Sequence, residues 1–236
     1  MPHYWGIKRP CLEYAYLEQF NRKNVDIVDI KNNAIVSFDE TGINLQDGTH
    51  HDFDIICIAS GFDVVTGGMT AMGLRNTEGV TLDDQWKKAA YTYLGTTVSG
   101  YPNMFHLYGP QGPTLLSNGP TTIEVQGRWI TDVIKSCERQ GIKYINPTEE
   151  ATMEWKKKIN HLSDISLFPT TKSTYVYNPS LRFETVLTSA GRYMGGSKPD
   201  KAFEQTNYAG GLHNYGEDIR AVLPNLEGFH VIKAGA

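Results

Sequence analysis

The sequence predicts an α/β protein with a β-rich N-terminal part and a helical C-terminal part. Between residues 25 and 59, short runs of Val, Ile and Phe alternate with turn signals such as Asp47-Gly48, which is typical of strands and hairpins. Between residues 121 and 162, apolar residues recur every three or four positions, which predicts helices. The 236 residues suffice for one large domain or two modest ones.

Four short strands are predicted in the N-terminal part, after a helix that carries apolar residues at helical spacing over Leu12 to Asn21. The strands are Val25 to Ile30, Ala34 to Phe38, Gly42 to Gln46 and Phe53 to Ala59. The Asp47-Gly48 pair after the third strand is a strong hairpin signal, because both residues tolerate the backbone of a tight turn.

Loops rich in Gly, Pro and Thr follow over residues 60–119, interrupted by a predicted short helix at Asp83 to Lys88 and a strand at Met104 to Tyr108. The clearest helix runs from Thr121 to Arg139 with an apolar stripe, and Gly141 marks its end. The remaining predicted elements are helices at Glu149 to Leu162 and Gly211 to Leu223 and a last strand at Phe229 to Ile232.

Composition and charge exclude several classes of partner. The net charge of −4 offers no basic field for nucleic acid or for an anionic membrane surface. No apolar run approaches the ~20 residues that a membrane-spanning helix needs, and the N-terminus shows no signal-peptide pattern. The three cysteines stand at unrelated spacings and are expected to be buried thiols. A cytoplasmic protein is therefore expected.

A metal site is not expected. The seven histidines are scattered, and neither a His-Glu-x-x-His nor a Cys-x-x-Cys spacing occurs.

The segment from Ile55 to Gly68 combines an apolar run with Ser60-Gly61-Phe62-Asp63. A strand that ends at Ser-Gly lets its backbone pass close to a bulky ligand or another domain. The segment resembles the Ala-Thr-Gly-Phe-Asp-x-x-Thr-Gly signature of flavoprotein monooxygenases, above all those of the Baeyer–Villiger type. The resemblance implies cofactor contacts from Ser60, Gly61 and Asp63, although capping the following turn explains Asp63 equally well.

The pair Lys8-Arg9, within Gly6 to Pro10, would by itself be read as a solvated face. It is similar to the Lys-Arg-Pro-like element of the same family. That likeness implies a catalytic role for Arg9, which would stabilise negative charge developing at the flavin, and a nicotinamide-cofactor contact for Lys8. A guanidinium suits the first role because it never deprotonates.

The block from Gly100 to Glu124 resembles the family pattern Phe-Pro-Asn-Leu-Phe, then Gly-Pro-x-x-Pro, Asn and Ile-Glu. In the family, a strand ends at Gly-Pro and the next helix points its N-terminus at the flavin pyrimidine, whose reduced form is negatively charged. The cofactor-binding residues implied are Gly109, Pro110, Ser117, Asn118 and Gly119. The alternative is an ordinary Gly/Pro loop between a strand and a helix.

A fourth likeness covers Gly191 to Lys201 and Tyr208 to Tyr215. It implies that Tyr193 and Lys201 contact the nicotinamide cofactor. The chain departs from the family pattern at Arg192, Ser197 and Asp200, which puts closure of this loop over the cofactor in doubt.

The Gly-x-Gly-x-x-Gly turn of a dinucleotide fold is missing, since no two glycines in this sequence are separated by one residue. The resemblance therefore implies the closing portions of two dinucleotide-binding, Rossmann-like domains, both incomplete. Residues 1–60 would complete an NADPH-binding-like domain, and residues 61–236 an FAD-binding-like domain.

The function implied is that of one portion of an FAD- and NADPH-dependent monooxygenase. Such an enzyme inserts oxygen next to the carbonyl of a small apolar ketone, and this portion would act only with the N-terminal half. A companion chain or self-association would cover the apolar surface left open. The alternative is a stand-alone homologue without flavin redox activity, which binds a small apolar ligand, assists another protein or has a recruited non-redox activity.

Overall fold

A computed structural model describes residues 12–30, 32–59, 65–87, 89–114, 117–165, 176–177, 204–205 and 207–234. It is a mixed α/β structure with three small antiparallel sheets. The predicted α/β class with a β-rich N-terminal part and a helical C-terminal part is confirmed.

The N-terminal sheet has three strands, β1 (Ile35–Phe38), β2 (Gly42–Leu45) and β3 (His50–Asp52), in the order β1-β2-β3. The predicted hairpin turn lies between β2 and β3, where Gly48 adopts a φ of +86°. The Asp39 carboxylate accepts hydrogen bonds from the backbone N–H groups of Thr41 and Gly42, both at 2.9 Å, and so fixes the β1–β2 turn. The hydrogen bond from the Thr41 backbone, together with one from the Asn44 side chain, stabilises the charged form and lowers the pKa of Asp39.

Two predicted strands of this part do not form. Neither Val25 to Ile30 nor Phe53 to Ala59 pairs with another strand within the described part of the chain. The second stretch is exposed throughout, with Ile55 at 80% and Ile58 at 76% exposure. A run that is apolar on both faces is the pattern of a strand buried between neighbours, and none of the described strands lies beside this one. The predicted helix at Leu12 to Asn21 is reduced to a 3-10 helix, Leu17–Asn21.

A small apolar cluster follows around two short helices, α1 (Gly67–Thr70) and α2 (Leu82–Gln85). Its buried members are Leu82, Trp86, Ala90, Val98 and Tyr101. The short helix predicted at Asp83 to Lys88 is found, but it begins one residue earlier, at Leu82, and ends at Gln85.

The main body consists of three longer helices and a two-stranded sheet. Helix α3 (Gly119–Gln140) ends at Gly141, whose φ of +63° is the left-handed conformation that favours glycine. Strand β4 (Ile142–Pro147) pairs with β7 (Phe229–Lys233). Helices α4 (Glu149–Asp164) and α5 (Gly211–Val222) lie between these strands in sequence. Strands β5 (Val176–Tyr177) and β6 (Glu204–Gln205) form a third pair.

The main core joins these helices to the loop after α2. Its largest side chains are aromatic, and the Trp155 and Tyr208 rings stack at 5.6 Å. The other buried members are Tyr93, Leu94, Trp129, Val133, Ile145, Ile159, Tyr215, Ile219, Val222 and Leu226. Residues far apart in sequence therefore meet here, and the loop that carries the candidate site packs on this core.

The three long helices and the last strand confirm the sequence pattern, whereas β4 was not predicted. The strand predicted at Met104 to Tyr108 is not formed, because Asn103 and Tyr108 both have positive φ values, 58° and 55°, that a strand does not accommodate. Among the described helices, none combines the length and the apolar character needed to cross a bilayer.

Candidate functional site

The structure describes one of the predicted site segments, the loop from Gly109 to Thr114 and the start of helix α3 at Ser117 to Gly119. It brings Gly109, Pro110, Ser117, Asn118 and Gly119 into one loop–helix unit. The other predicted site residues lie outside the described residues: Arg9, Lys8, Ser60, Gly61, Asp63, Tyr193 and Lys201.

The loop is shaped by close backbone approaches that only glycine permits. A Cβ on Gly109 would stand 2.3 Å from the Nδ1 atom of His106, and a Cβ on Gly95 would stand 2.7 Å from the Cα atom of Gly112. Gly95 also has a φ of +64°. Two non-glycine residues, Tyr108 and Gln111, have φ values of 55° and 62°, which L-residues adopt at a cost. The surrounding contacts must therefore hold this loop in place.

One set of these contacts comes from the segment before the loop. The Gln111 Oε1 atom accepts two hydrogen bonds from Thr92, one from its backbone N–H and one from its hydroxyl, both at 2.9 Å. The Thr92 hydroxyl also lies 3.2 Å from the Pro110 carbonyl oxygen. Both side chains are buried, so these bonds form in a low-dielectric setting where leaving them unmade is costly.

A second set comes from the start of the last helical segment. The Thr114 backbone N–H donates to Asn207 Oδ1 at 2.9 Å, and the Tyr208 backbone N–H donates to the Gly112 carbonyl oxygen at 2.9 Å. The loop is thus tied to residues almost one hundred positions later in the sequence.

Gln126 supplies the third set, from helix α3. Its Oε1 atom accepts the Tyr108 backbone N–H at 2.8 Å, and its Nε2 atom donates to the Tyr215 hydroxyl at 2.8 Å. The Tyr215 hydroxyl in turn donates to the Leu94 carbonyl oxygen at 2.7 Å. Burial raises the pKa of Tyr215, so this hydroxyl stays neutral.

The N-terminus of helix α3 is not capped by the side chain of its N-cap residue. Asn118 is the N-cap residue, yet its side chain makes no capping hydrogen bond, and Pro120 stands in the first turn. The first backbone bond of the helix runs from the Thr122 N–H to the Asn118 carbonyl oxygen, at 3.0 Å. Peptide N–H groups ahead of this bond and the helix dipole both favour negative charge at this end.

Ser117 helps to shape this helix start rather than reaching away from it. Its hydroxyl lies 2.6 Å from the Thr122 hydroxyl and donates to the Pro113 carbonyl oxygen. Gly119 packs under the Tyr108 ring, which a Cβ on Gly119 would approach to 3.4 Å. These predicted site residues therefore contribute backbone shape and backbone donors.

His106 lies directly beneath the loop. Part of the residue is exposed, but neither ring nitrogen reaches solvent or has a hydrogen-bond partner within the described part of the chain. Burial lowers the pKa of His106 to about 4, because desolvation disfavours the charged imidazolium. The imidazole under Gly109 is therefore neutral near pH 7.

Sequence reasoning missed the side chains that hold the loop: Thr92, Gln111, Gln126, Asn207 and Tyr215. A signal for Gln126 was present, because it lies on the same helical face as Thr122, Trp129 and Val133, which are all buried. A polar residue on an otherwise buried helix face needs a partner.

The described residues also form an open groove of about 460 Å³ elsewhere on the surface, between α4 and α5. Trp155, Lys158, Asp218 and Glu227 are among the residues that line it, and none of the predicted site residues does. No group of three or more His, Cys, Asp or Glu side chains among the described residues is arranged to hold a metal ion.

Comparison with known proteins gives a consistent picture, although no family model matches the chain. The chain is 50% identical to FAD-binding monooxygenase acrE of Aspergillus aculeatus over 233 residues, which are 99% of this chain and 36% of that protein. It is 36% identical over 214 residues to cyclopentanone 1,2-monooxygenase of Comamonas sp., covering 91% of this chain and 36% of that protein.

Solved structures agree with these sequences. Cyclohexanone monooxygenase from Rhodococcus sp. Phi1 bound to NADP⁺ matches with a TM-score of 0.78 and 32% identity, over 97% of this chain and 39% of that one. An oxidized steroid monooxygenase bound to NADP matches with a TM-score of 0.76 and 30% identity, over 99% and 40%. The chain thus spans between a third and two fifths of the length of these relatives.

Proposed function

Since the chain belongs to the Baeyer–Villiger group of FAD-binding monooxygenases over nearly all of its length, we propose that it supplies one portion of such an enzyme. The enzyme would use FAD and NADPH to insert oxygen next to a ketone carbonyl. The observation that carries the proposal is the 50% identity to a relative over 99% of this chain. The chain would act only together with the portion of the relatives that it does not span.

The loop–helix unit would hold the isoalloxazine ring of FAD. Its fit rests on two features of the described residues: the compact loop that the glycines allow, and the N-terminus of helix α3, which the side chain of Asn118 does not cap. Backbone N–H groups there would face the pyrimidine end of the ring, where the reduced cofactor is electron-rich. When bound, FAD supplies the oxygen activation, which protein side chains do not perform.

The nicotinamide side would be served by Lys8, Tyr193 and Lys201, and Arg9 would stabilise negative charge that develops at the flavin. A guanidinium does so without a proton transfer of its own. The departures at Arg192, Ser197 and Asp200 would alter the shape and charge of the loop over the cofactor. The substrate class would be a small apolar ketone, because relatives are named for cyclopentanone and cyclohexanone.

A complementary polypeptide would cover the open apolar surface of residues 53–59. The exposed side chains of Ile55, Ile56 and Ile58 support this proposal, because such a run is costly to leave in water. The same polypeptide would bring the Gly-x-Gly-x-x-Gly turns, which this sequence lacks and which bind the pyrophosphate of a dinucleotide.

The test is complementation. The 236-residue chain would be co-expressed with the part of the acrE relative that it does not match, and the purified complex would be examined for the visible absorption of bound flavin. We expect a yellow complex that oxidises NADPH in a ketone-dependent manner. A colourless complex, or two polypeptides that do not associate, would contradict the proposal. An Arg9→Ala variant is expected to retain flavin and lose ketone oxidation.

A second candidate is a stand-alone homologue without flavin redox activity, which is favoured by the changes at Arg192, Ser197 and Asp200. It would bind a small apolar ligand, assist another protein or have a recruited activity. A colourless monomer that unfolds cooperatively and does not bind the complementary polypeptide would support this candidate and contradict the first.

A further inference from the structure

Gln126 connects three chain segments behind the candidate loop. Its side chain is fully buried on helix α3 and bonds to the backbone N–H of Tyr108 and to the hydroxyl of Tyr215 on helix α5. Its Nε2 atom also lies 3.4 Å from the Gly95 carbonyl oxygen. One amide group therefore joins the loop to the segment before it and to the helix behind it.

The orientation of this amide follows from its neighbours. The Tyr108 N–H is a donor only, so Oε1 must face it, and Nε2 then faces the Tyr215 oxygen and the Gly95 carbonyl oxygen. The Tyr215 hydroxyl donates its proton to the Leu94 carbonyl oxygen and accepts a hydrogen bond from Nε2. If the amide were reversed, its NH₂ group would face the Tyr108 N–H, donor against donor, and its oxygen would face the Gly95 carbonyl oxygen, acceptor against acceptor.

The amide also fills the space inside the turn. A Cβ on Gly112 would stand 3.1 Å from Gln126 Nε2, so the loop backbone wraps closely around this side chain. Tyr108, which Gln126 holds by its N–H, is one of the residues with a positive φ, an unfavourable conformation for a tyrosine. Without the bond, this residue would relax towards the favoured region and carry Gly109 with it.

We propose that Gln126 is a positioning residue that holds residues 108–112 in their observed conformation, and that Tyr215 orients its amide. The claim that this conformation faces the flavin rests on the proposed function. The hold on the loop itself is a property of the described residues and can be tested without a cofactor.

Hydrogen exchange on the 236-residue chain provides that test. Gln126→Met keeps the length of the side chain and removes both hydrogen bonds, and Tyr215→Phe removes only the hydroxyl. Gln140→Met is the matched control, because Gln140 lies on the same helix but is exposed and bonds only to Ser136 in the described structure. The informative amides are Thr92 and Gly112, which bond within the loop region but not to Gln126.

We expect both test variants to lower the protection of the Thr92 and Gly112 amides from hydrogen exchange at least tenfold. In the same variants, the amides of β4 and β7 should keep their protection. In the control variant, all amides should keep it. Loss confined to the Tyr108 amide would overturn the proposal, because it would show that the bond is local. Uniform loss across β4, β7 and the loop in both variants would also overturn it, because it would show a general role in stability.

A second measurement separates this inference from the proposed function. The variants would be combined with the complementary part of the acrE relative and titrated with FAD, with flavin fluorescence and visible absorption as readouts. Weaker binding or a shifted flavin spectrum in Gln126→Met, but not in Gln140→Met, supports both proposals. If the unaltered chain binds no flavin while the loop amides still lose protection in the test variants, the proposed function fails and the positioning role stands.

Discussion

The described residues 12–59 and the body formed by residues 65–165 and 207–234 contain similar kinds of residue but bury them very differently. In the body, Ile159 and Val133 have no exposed surface. In the N-terminal segment, Leu12, Ile55 and Ile58 are each more than 70% exposed, and Leu45 is the only large apolar side chain of the described segment that is buried. Composition alone therefore does not decide which of these residues form a core.

What differs between the two regions is the presence of partners within the chain. Helices α3, α4 and α5 present apolar faces to one another, and β4 pairs with β7. The run from Ile55 to Ala59 has no strand beside it among the described residues, so its backbone and side chains face water. A strong β pattern alone therefore does not make a strand, because the backbone groups also need a neighbouring strand to pair with.

The largest expected effect contrasts one isoleucine from each region. Ile159→Ala removes a fully buried side chain and is expected to lower the free energy of unfolding by about 2–5 kcal/mol. Ile55→Ala, at a site that is 80% exposed, is expected to change it by less than about 0.5 kcal/mol. Urea unfolding followed by tryptophan fluorescence measures both. Equal changes in the two variants would show that the two regions do not differ in how they bury apolar side chains.

The stability of the body is expected to depend on pH through His106. Burial lowers the pKa of His106 from 6.5 to about 4, so between these values the unfolded chain binds a proton that the folded chain refuses. The corresponding contribution to the free energy of unfolding is fully present above about pH 6.5. It is lost as the pH falls towards 4, and the total loss amounts to about 3 kcal/mol. Urea unfolding at pH 7.5, 5.5 and 4 should show this loss.

A His106→Leu variant should remove that part of the pH dependence, and His213→Leu should retain it, because the His213 side chain is 83% exposed. If His106→Leu loses as much stability between pH 7.5 and 4 as the unaltered chain does, then burial of His106 does not cause the effect.

A smaller effect compares two helix starts inside the body. The Thr148 hydroxyl accepts the Ala151 backbone N–H at 3.1 Å and caps helix α4, so Thr148→Ala should cost about 1 kcal/mol. The Asn118 side chain makes no such bond at helix α3, so Asn118→Ala should cost only a few tenths of a kcal/mol. Thermal unfolding measures the difference. A larger cost for Asn118→Ala would mean that its side chain caps α3 in solution.

The smallest effect on stability is expected at the exposed apolar run. The double change Ile55→Asp and Ile58→Asp should alter the free energy of unfolding by less than about 0.5 kcal/mol. It should nevertheless reduce binding of a hydrophobic fluorescent dye and abolish association with the complementary part of the acrE relative. Glu78→Gln and Asp132→Asn, at exposed polar positions of the body, serve as the control. Retained association in the Asp variant would show that another surface makes the contact.

Much of the body was predictable from sequence because its signals are local. The apolar stripe from Thr121 to Arg139 and the glycine at position 141 predict helix α3 and its end, and the structure places them at Gly119–Gln140 and Gly141. Strand β4 was missed because it has only six residues, and its alternation of more and less buried side chains is weak. The strand predicted at Met104 to Tyr108 was wrong because Asn103 and Tyr108 have positive φ values, which the local pattern does not reveal.

The candidate site was predictable only in part, and for the same reason. The motif around Gly109, Pro110 and Asn118 could be read from sequence, since it resembles the family pattern over a short stretch of chain. The residues that hold it, Thr92 and Asn207, come from positions that no short pattern connects. Their roles depend on how distant segments pack, and only the folded chain shows that.

Pairing of β4 with β7 also bears on how this polypeptide is made. The Tyr93 hydroxyl bonds to the Glu227 carbonyl oxygen across 134 positions, and β7 joins β4 only after residues 229–233 exist. A nascent chain leaving the ribosome therefore carries helices α3 and α4 with open apolar faces until the last strand emerges. Such late closure, with contacts of high sequence separation, slows folding and leaves apolar surface of the unfinished chain exposed to aggregation.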